Sequence, residues 1–192
     1  MKKLPCLFQR DFTDKQHATL LREVTPGCEW VLAGEGVATR KYDGSACLVR
    51  DGKLYKRYDC KVNPKTGERK APPDGFEACS EPDPVTGHWP GWLPVGDEPG
   101  SRWHREAWEN SGGAEISNGT YEACGPKLQT NPEHLTEHIL VRHGATVLPD
   151  CPRDFDGIRE YLRPLDIEGI VFHHPDGRMV KIRKGDYGMP RK

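Results

Sequence analysis

Four short segments, in this order along the chain, carry residue types from which chemistry can be built. They are Lys41-x-Asp43-Gly44, Tyr121-Glu122-x-x-Gly125, Glu168-Gly169-Ile170-Val171 and Lys181-x-Arg183. A lysine with a pKa of ~10.4 is a poor nucleophile at neutral pH. Nearby cations lower that pKa and free the amine, and Lys181 and Arg183 can serve Lys41 in this way. The same pair can bind a phosphate and stabilise charge as an anion departs. Their i, i+2 spacing sets both on one face of a strand, while Val180 and Ile182 face a core. The plainer reading is an exposed strand face. Glu122 and Glu168 are acids within otherwise apolar strands, and here too the plain reading is the solvated side of a half-buried strand. KYDG alone is too short to be diagnostic; the ordered set of four is what is specific.

The elements that must position these residues are mostly strands. Ala46–Arg50 and Lys53–Tyr58 flank Asp51-Gly52, the signature of a hairpin with a type I′ turn. Glu168–His173 and Arg178–Arg183 form a second hairpin around Pro175-Asp176-Gly177. Gly119–Cys124 reads as a strand ending at Gly125. Val37–Arg40 leads into Lys41, and Glu29–Leu32 reads as a short strand before the turn at Gly34-Glu35-Gly36. Phe12, Thr19, Leu20 and Val24 suit a short N-terminal helix stopped by Pro26-Gly27. Asp154 is an N-cap for a helix over residues 154–163, with Phe155, Ile158 and Leu162 three and four apart. Asn131-Pro132-Glu133 starts a turn or a short helix. His138–Arg142 continues it or forms a strand, since Ile139, Leu140 and Val141 do not settle the period.

Composition narrows the class. Glycine (21) and proline (17) make up about a fifth of the 192 residues, so turns and short strands should outnumber long helices. No run approaches the ~20 apolar residues of a membrane span. The N-terminal MKKLPCLFQRDF lacks the apolar stretch of a signal peptide, so a cytoplasmic protein without membrane contact is expected. The seven cysteines form no CxxC pair, which argues against a zinc knuckle and for reduced thiols. The net charge of −1 favours no nucleic acid globally. Locally, Lys53, Lys56, Arg57, Lys61, Lys65, Arg69 and Lys70 form a basic stripe, which is either a phosphate-binding surface or a solvated charged loop. Residues 62–112 are irregular, rich in proline and glycine, and hold four of the five tryptophans. An ordered insertion is expected there, its aromatics either packed on the domain or stacking on bases.

As a set, the motifs resemble the covalent nucleotidyltransferase superfamily of DNA ligases, RNA ligases and mRNA capping enzymes. Lys41 sits where that superfamily has its nucleophile, and Lys56-Arg57 falls where a further motif stands. GTYEACGPKLQ, HWPGWLPV and EGIVFHHPDGRMVKIRKGDYG are most similar to the small RNA ligase 1 family, over roughly residues 28–188. The resemblance implies an α+β fold: one nucleotidyltransferase domain over residues 1–192, an ATP-grasp-like ligase adenylation domain. It would have two packed antiparallel sheets, a few helices and ATP between them. It implies an ATP-dependent RNA ligase, a monomer that joins RNA 5′-phosphate and 3′-hydroxyl ends through a lysyl-AMP intermediate on Lys41, in RNA repair. Mg²⁺ or Mn²⁺ would be held by Glu168 and Asp43, the hard-cation mode of one or two carboxylates plus phosphates.

Glu122 would hydrogen-bond the ribose, and Asp43, on the strand face of Lys41, would orient ribose or metal-bound water. Lys181 and Arg183 would bind the α-phosphate, and Arg40 would offer backbone atoms to the adenine. Arg57 would grip a phosphate of ATP or the RNA 5′-phosphate with its planar fork, and Lys56, Arg57 and Lys61 would contact RNA. Lys184 would replace Arg183 if the register slipped. The family's aromatic partner for the purine has no clean counterpart; His143, Ile139 or Val141 would have to stand in. A capping guanylyltransferase or DNA ligase usually adds an OB-fold after its last motif, whereas only nine residues follow Arg183, so no OB-fold domain is expected. A non-catalytic nucleotide- or RNA-binding module is the remaining alternative.

Overall fold

The computed structural model describes residues 3–13, 18–63, 65–84 and 87–191. They form strands β1 (Phe8–Asp11), β2 (Thr19–Val24), β3 (Val37–Lys41), β4 (Ser45–Arg50), β5 (Lys53–Asp59), β6 (Glu77–Ala78), β7 (Pro90–Pro94), β8 (Gly119–Cys124), β9 (Ile139–Arg142), β10 (Gly169–His173) and β11 (Met179–Arg183). The helices are α1 (Glu29–Leu32), α2 (Arg102–Asn110) and α3 (Phe155–Leu162). The fold is mixed α+β with three antiparallel sheets and few helices, compatible with the α+β fold that the resemblance implies with two packed sheets. The chain divides into two compact units, one of Leu4–Tyr42 with His143–Lys192, the other of Asp43–Arg142 with Met1–Lys3.

The first unit holds the pair β1–β2 and a three-stranded sheet in the order β11-β10-β3. Alternation along these strands sends Ala38, Ile170, Phe172, Val180 and Ile182 into one core, closed by Val31, Ile158 and Leu162. α3 begins as expected, with the Asp154 carboxylate accepting from Gly157 N at 2.9 Å.

Two local expectations are corrected here. Thr19–Val24 is strand, not helix, because it pairs antiparallel with β1; residues 14–17 of the expected helix lie outside the described residues. Glu29–Leu32 is one helical turn, not a strand. Its neighbours Trp30 and Val31 are both buried in the same core, and an alternating strand would turn one of them away.

The second unit is a six-stranded sheet in the order β6-β7-β5-β4-β8-β9. Asp51 and Gly52 both take positive φ (52° and 67°), as the type I′ hairpin between β4 and β5 requires. Cys47, Val49, Leu54, Tyr121, Ala123 and Leu140 line one sheet face, where α2 adds Ala107. The segment over residues 62–112 contributes β6, β7 and α2. Its tryptophans pack: Trp92 is buried, Trp89 meets the Phe76 ring edge-on, and Trp103 stacks on His138. Of His138–Arg142, Ile139–Arg142 is strand β9. The seven cysteines are free thiols. Among the described residues no helix is long and apolar enough to cross a membrane.

Candidate active site

In the first unit, β10 lies between β3 and β11, and the register brings distant residues into rows. Gly169 is opposite Lys41 on one side and Arg183 on the other; Val171 is likewise opposite Thr39 and Lys181. Strand spacing of ~4.8 Å sets the Lys41 and Arg183 backbones about 10 Å apart on the same face. The opposite face is the core, so the apolar side chains of β11 fix which way its two cations point. Val180 and Ile182 are fully buried, while Lys181 and Arg183 are half-buried.

Gly169 has a steric reason to be glycine. A Cβ there would stand 2.2 Å from the carbonyl oxygen of Ile182. The row from Lys41 to Arg183 therefore has no side chain at its centre.

Glu168 precedes Gly169, and its carboxylate forms an ion pair with the Lys41 ammonium, both side chains about one-fifth exposed. Lys41 Nζ also donates to Tyr42 O at 3.3 Å. Burial, followed by the like charges of Arg183 and Lys41, depresses the pKa of Lys181. Arg183 behaves oppositely: burial would lower its pKa, but the hydrogen bond and charge of Asp186 raise it.

Asp186 and Arg10 were not anticipated. Asp186 is almost fully buried, and its carboxylate accepts from Arg183 at 2.9 Å, from Arg10 at 2.6 Å and from the Arg183 backbone N–H at 2.9 Å. Burial pushes its pKa up, but Arg183 and Arg10 hold it below the usual carboxylate range. The capping turn over Lys184–Tyr187 that aims Asp186 starts directly after β11, and that adjacency was the available signal. Arg10 arrives from β1 through tertiary pairing and left no local signal. Lys184 is buried and donates to Leu165 O at 2.7 Å, so it does not share the face of Arg183. The backbone N–H of Arg40 donates to Thr146 O at 2.8 Å, and its guanidinium stacks on the Tyr42 ring 4.6 Å away.

The unit boundary falls between Tyr42 and Asp43, inside the KYDG segment. β3 ends at Lys41, so Asp43 is not the strand residue expected from the sequence. Within the second unit, Asp43 N donates to Glu133 Oε1 at 2.9 Å and Gly44 N to Glu122 Oε1 at 3.1 Å. A Cβ on Gly44 would meet Ala123 O at 2.2 Å, so only glycine lets the chain run this close to β8.

Glu122 is opposite Ala46 and Val141, and Cys124 is opposite Ile139. Ile139 and Val141 therefore lie on the face of Glu122, both partly exposed. One step beyond the Cys47–Lys56 pair, Arg57 comes level with Ala46, and its other neighbour is Trp92. Arg57 and Glu122 thus share a sheet face. Lys56 points to the opposite face, where it donates to Ser101 Oγ at 2.6 Å and Glu98 Oε1 at 2.9 Å. Lys61 is exposed in the loop after β5. The structure brings Lys41, Glu168, Lys181 and Arg183 together, and separately Arg57 and Glu122; it does not bring Lys56 to Arg57.

No family model matches the chain. It is similar over 98% of its length to proteins named RNA ligase 1. It is 28% identical to that of Mus musculus, 27% to that of Rattus norvegicus and 25% to that of Pongo abelii, matching 80%, 81% and 81% of those proteins. A similarity running through the whole chain supports a relationship with a ligase family.

Proposed function

We propose that this chain is an ATP-dependent RNA ligase with the nucleotidyltransferase fold, and that Lys41 carries AMP. The observation that carries the reading is the single sheet face holding Lys41, Lys181 and Arg183, with Glu168 on the lysine. In the first step the Lys41 amine attacks the α-phosphorus of ATP, an N–P bond forms, and pyrophosphate leaves. Glu168 holds the ammonium in place and can accept its proton. Lys181 and Arg183 bind the α-phosphate and the charge of the departing pyrophosphate. AMP then passes to the 5′-phosphate of RNA, which frees Lys41. A 3′-hydroxyl attacks that activated phosphate, the phosphodiester forms, and AMP leaves.

Glu122 holds the ribose. Ile139 and Val141 give the purine an apolar bed in place of an aromatic ring, and Arg57 takes a phosphate. Glu168 in the first unit and Asp43 in the second each carry oxygen donors of the kind Mg²⁺ or Mn²⁺ takes. The donor set is thin: one or two carboxylates, and among the described residues no group of three metal-ligating side chains. A hard cation held there would take its other ligands from phosphates and water. When bound it would neutralise charge on the phosphates. RNA as the joined strand is supported by the names of the full-length relatives.

The test is incubation with α-labelled ATP or GTP and Mg²⁺, followed by denaturation. Label from ATP should remain on the wild-type chain and vanish in Lys41→Ala. No label with either nucleotide would sink the reading, and label on Lys41→Ala would sink the assignment of the nucleophile.

A further inference from the structure

The second unit contains a cavity of about 550 Å³, of whose lining the steps above use only Arg57. Its wall includes Arg57, so it adjoins the sheet face that carries Glu122. The rest comes from Lys3, from Asp59 at the end of β5, and from the start of β7 with the loop before it, which includes part of the HWPGW segment that stood out in the sequence. The backbone there is held firmly: Asp59 is opposite Pro90, Cys60 N donates to Trp89 O at 2.9 Å, and Asp83 N donates to His88 O at 2.8 Å.

The polar groups are ordered too. Asp59 accepts from His88 Nδ1 through one carboxylate oxygen and from Trp89 N at 3.0 Å through the other. In the neutral ring, an Nδ1–H donated to Asp59 leaves Nε2 as an acceptor. His88 is 40% exposed and so reachable from solvent. Pro82, Pro84 and Pro90 supply flat apolar wall.

The charge balance decides what fits. Two fixed cations, Lys3 and Arg57, stand against three carboxylates, Asp59, Glu81 and Asp83. A terminal phosphate, acceptor-only and dianionic, is repelled by such a wall. A metal cluster is not formed there either, since among the described residues no three ligating side chains converge. Carboxylates and an imidazole acceptor instead match groups that donate hydrogen bonds without charge, that is, hydroxyls. Prolines suit the faces of a sugar and a base, and a single Arg57 suits one internucleotide phosphate.

We propose that this cavity is the subsite for the 3′-terminal nucleoside of the acceptor strand, gripping its 2′,3′-diol through His88 and Glu81. That the strand is an acceptor in joining rests on the proposed function; the diol recognition itself does not. A 2′-hydroxyl is also what separates RNA from DNA, so this subsite would select a ribose end.

The experiment measures binding, not joining. Short oligoribonucleotides labelled at the 5′ end, ending in a 2′,3′-diol, a 2′-deoxy-3′-hydroxyl, a 2′,3′-dideoxy sugar or a 3′-phosphate, are titrated by fluorescence anisotropy. The diol should bind about tenfold tighter than the dideoxy end, the scale of one hydrogen bond to a charged group, and the 3′-phosphate should bind weakest. Glu81→Gln, a conservative change at an exposed position, and His88→Ala should each shrink the diol advantage. Equal binding of diol and dideoxy ends, tightest binding of the 3′-phosphate, or an unchanged advantage in both variants would overturn the proposal. Lys41 labelling of the wild type is read in parallel. A diol preference without labelling would remove the ligase mechanism and leave the subsite standing.

Discussion

Lys181 shows how one side chain can be unfavourable for folding and useful for chemistry. Its ammonium is partly desolvated and faces two like charges, Arg183 and Lys41, with only Glu168 and Asp186 opposing. A cation whose folded pKa is depressed binds its proton less tightly than in the unfolded chain. It therefore costs stability wherever it is charged, and the cost fades as pH rises from the folded pKa towards the unfolded value. Lys181→Met should accordingly unfold at a higher temperature than wild type at pH 7, by about 2–4 °C for each kcal/mol relieved. It should lose the alkaline rise in stability that wild type shows. On the proposed mechanism it should also cut AMP labelling of Lys41 by about 10²-fold, the scale of losing one preorganised group on a developing anion. Calorimetry and a labelling time course check both, and a variant that labels like wild type would remove Lys181 from the phosphate site. Arg183 differs because Asp186 holds it in a hydrogen-bonded turn, so its charge is compensated within the fold.

At the scale of elements, α2 packs on the sheet through a buried histidine as well as through the apolar contact of Ala107. His104 is buried, its Nε2 is 2.9 Å from Ser45 Oγ, and burial, followed by the nearby charge of Lys56, lowers its pKa to about 4. The unfolded chain then takes up a proton near pH 6.5 that the folded chain refuses, so stability falls with pH below that point. From pH 6.5 to pH 5 the loss should be about 1.5 kcal/mol, and urea melts of His104→Gln should show a flatter slope. His173, also depressed by burial, adds a smaller slope of the same sign that remains in the variant. An unaltered slope in His104→Gln would mean that α2 does not dock through a neutral imidazole.

Elements fixed by local chemistry were legible in the sequence: the Asp51-Gly52 hairpin, the Asp154 cap, and the alternation that sets Lys181 and Arg183 on one face. Elements decided by partners far along the chain were not. Thr19–Val24 became a strand through β1, Glu29–Leu32 became a helical turn because a core takes two consecutive side chains, and Arg10 met Asp186 from 176 residues away. Lys56 and Arg57 counted as one basic patch, although alternation alone sends them to opposite faces of β5.

For the molecule as a whole, and on the proposed function, a net charge of −1 and a dispersed basic stripe set how strongly binding to RNA should depend on salt. Lys56 is tied to Glu98 and Ser101, and Arg69 donates to Cys60 O at 2.5 Å and lies over the Trp89 ring. Lys53 is exposed but follows the tight turn at the far end of β5 from Arg57. What remains of the stripe is Arg57, Lys61, Lys65 and Lys70, of which Lys61 and Lys70 line a smaller cavity of about 350 Å³ with Tyr58. About three phosphates can therefore be neutralised at once. Each phosphate on a single strand contributes about −0.7 to the slope of log K against log salt, so the expected slope is about −2. Anisotropy titrations of a 5′-phosphorylated oligoribonucleotide between 50 and 300 mM KCl, roughly the range over which counterion release is resolved, measure it directly. Lys61→Gln and Lys70→Gln should each reduce the slope by about 0.7 and weaken binding similarly for all sequences. A slope steeper than about −4 would require six or more phosphate contacts; RNA would then have to track a longer basic surface than this stripe supplies.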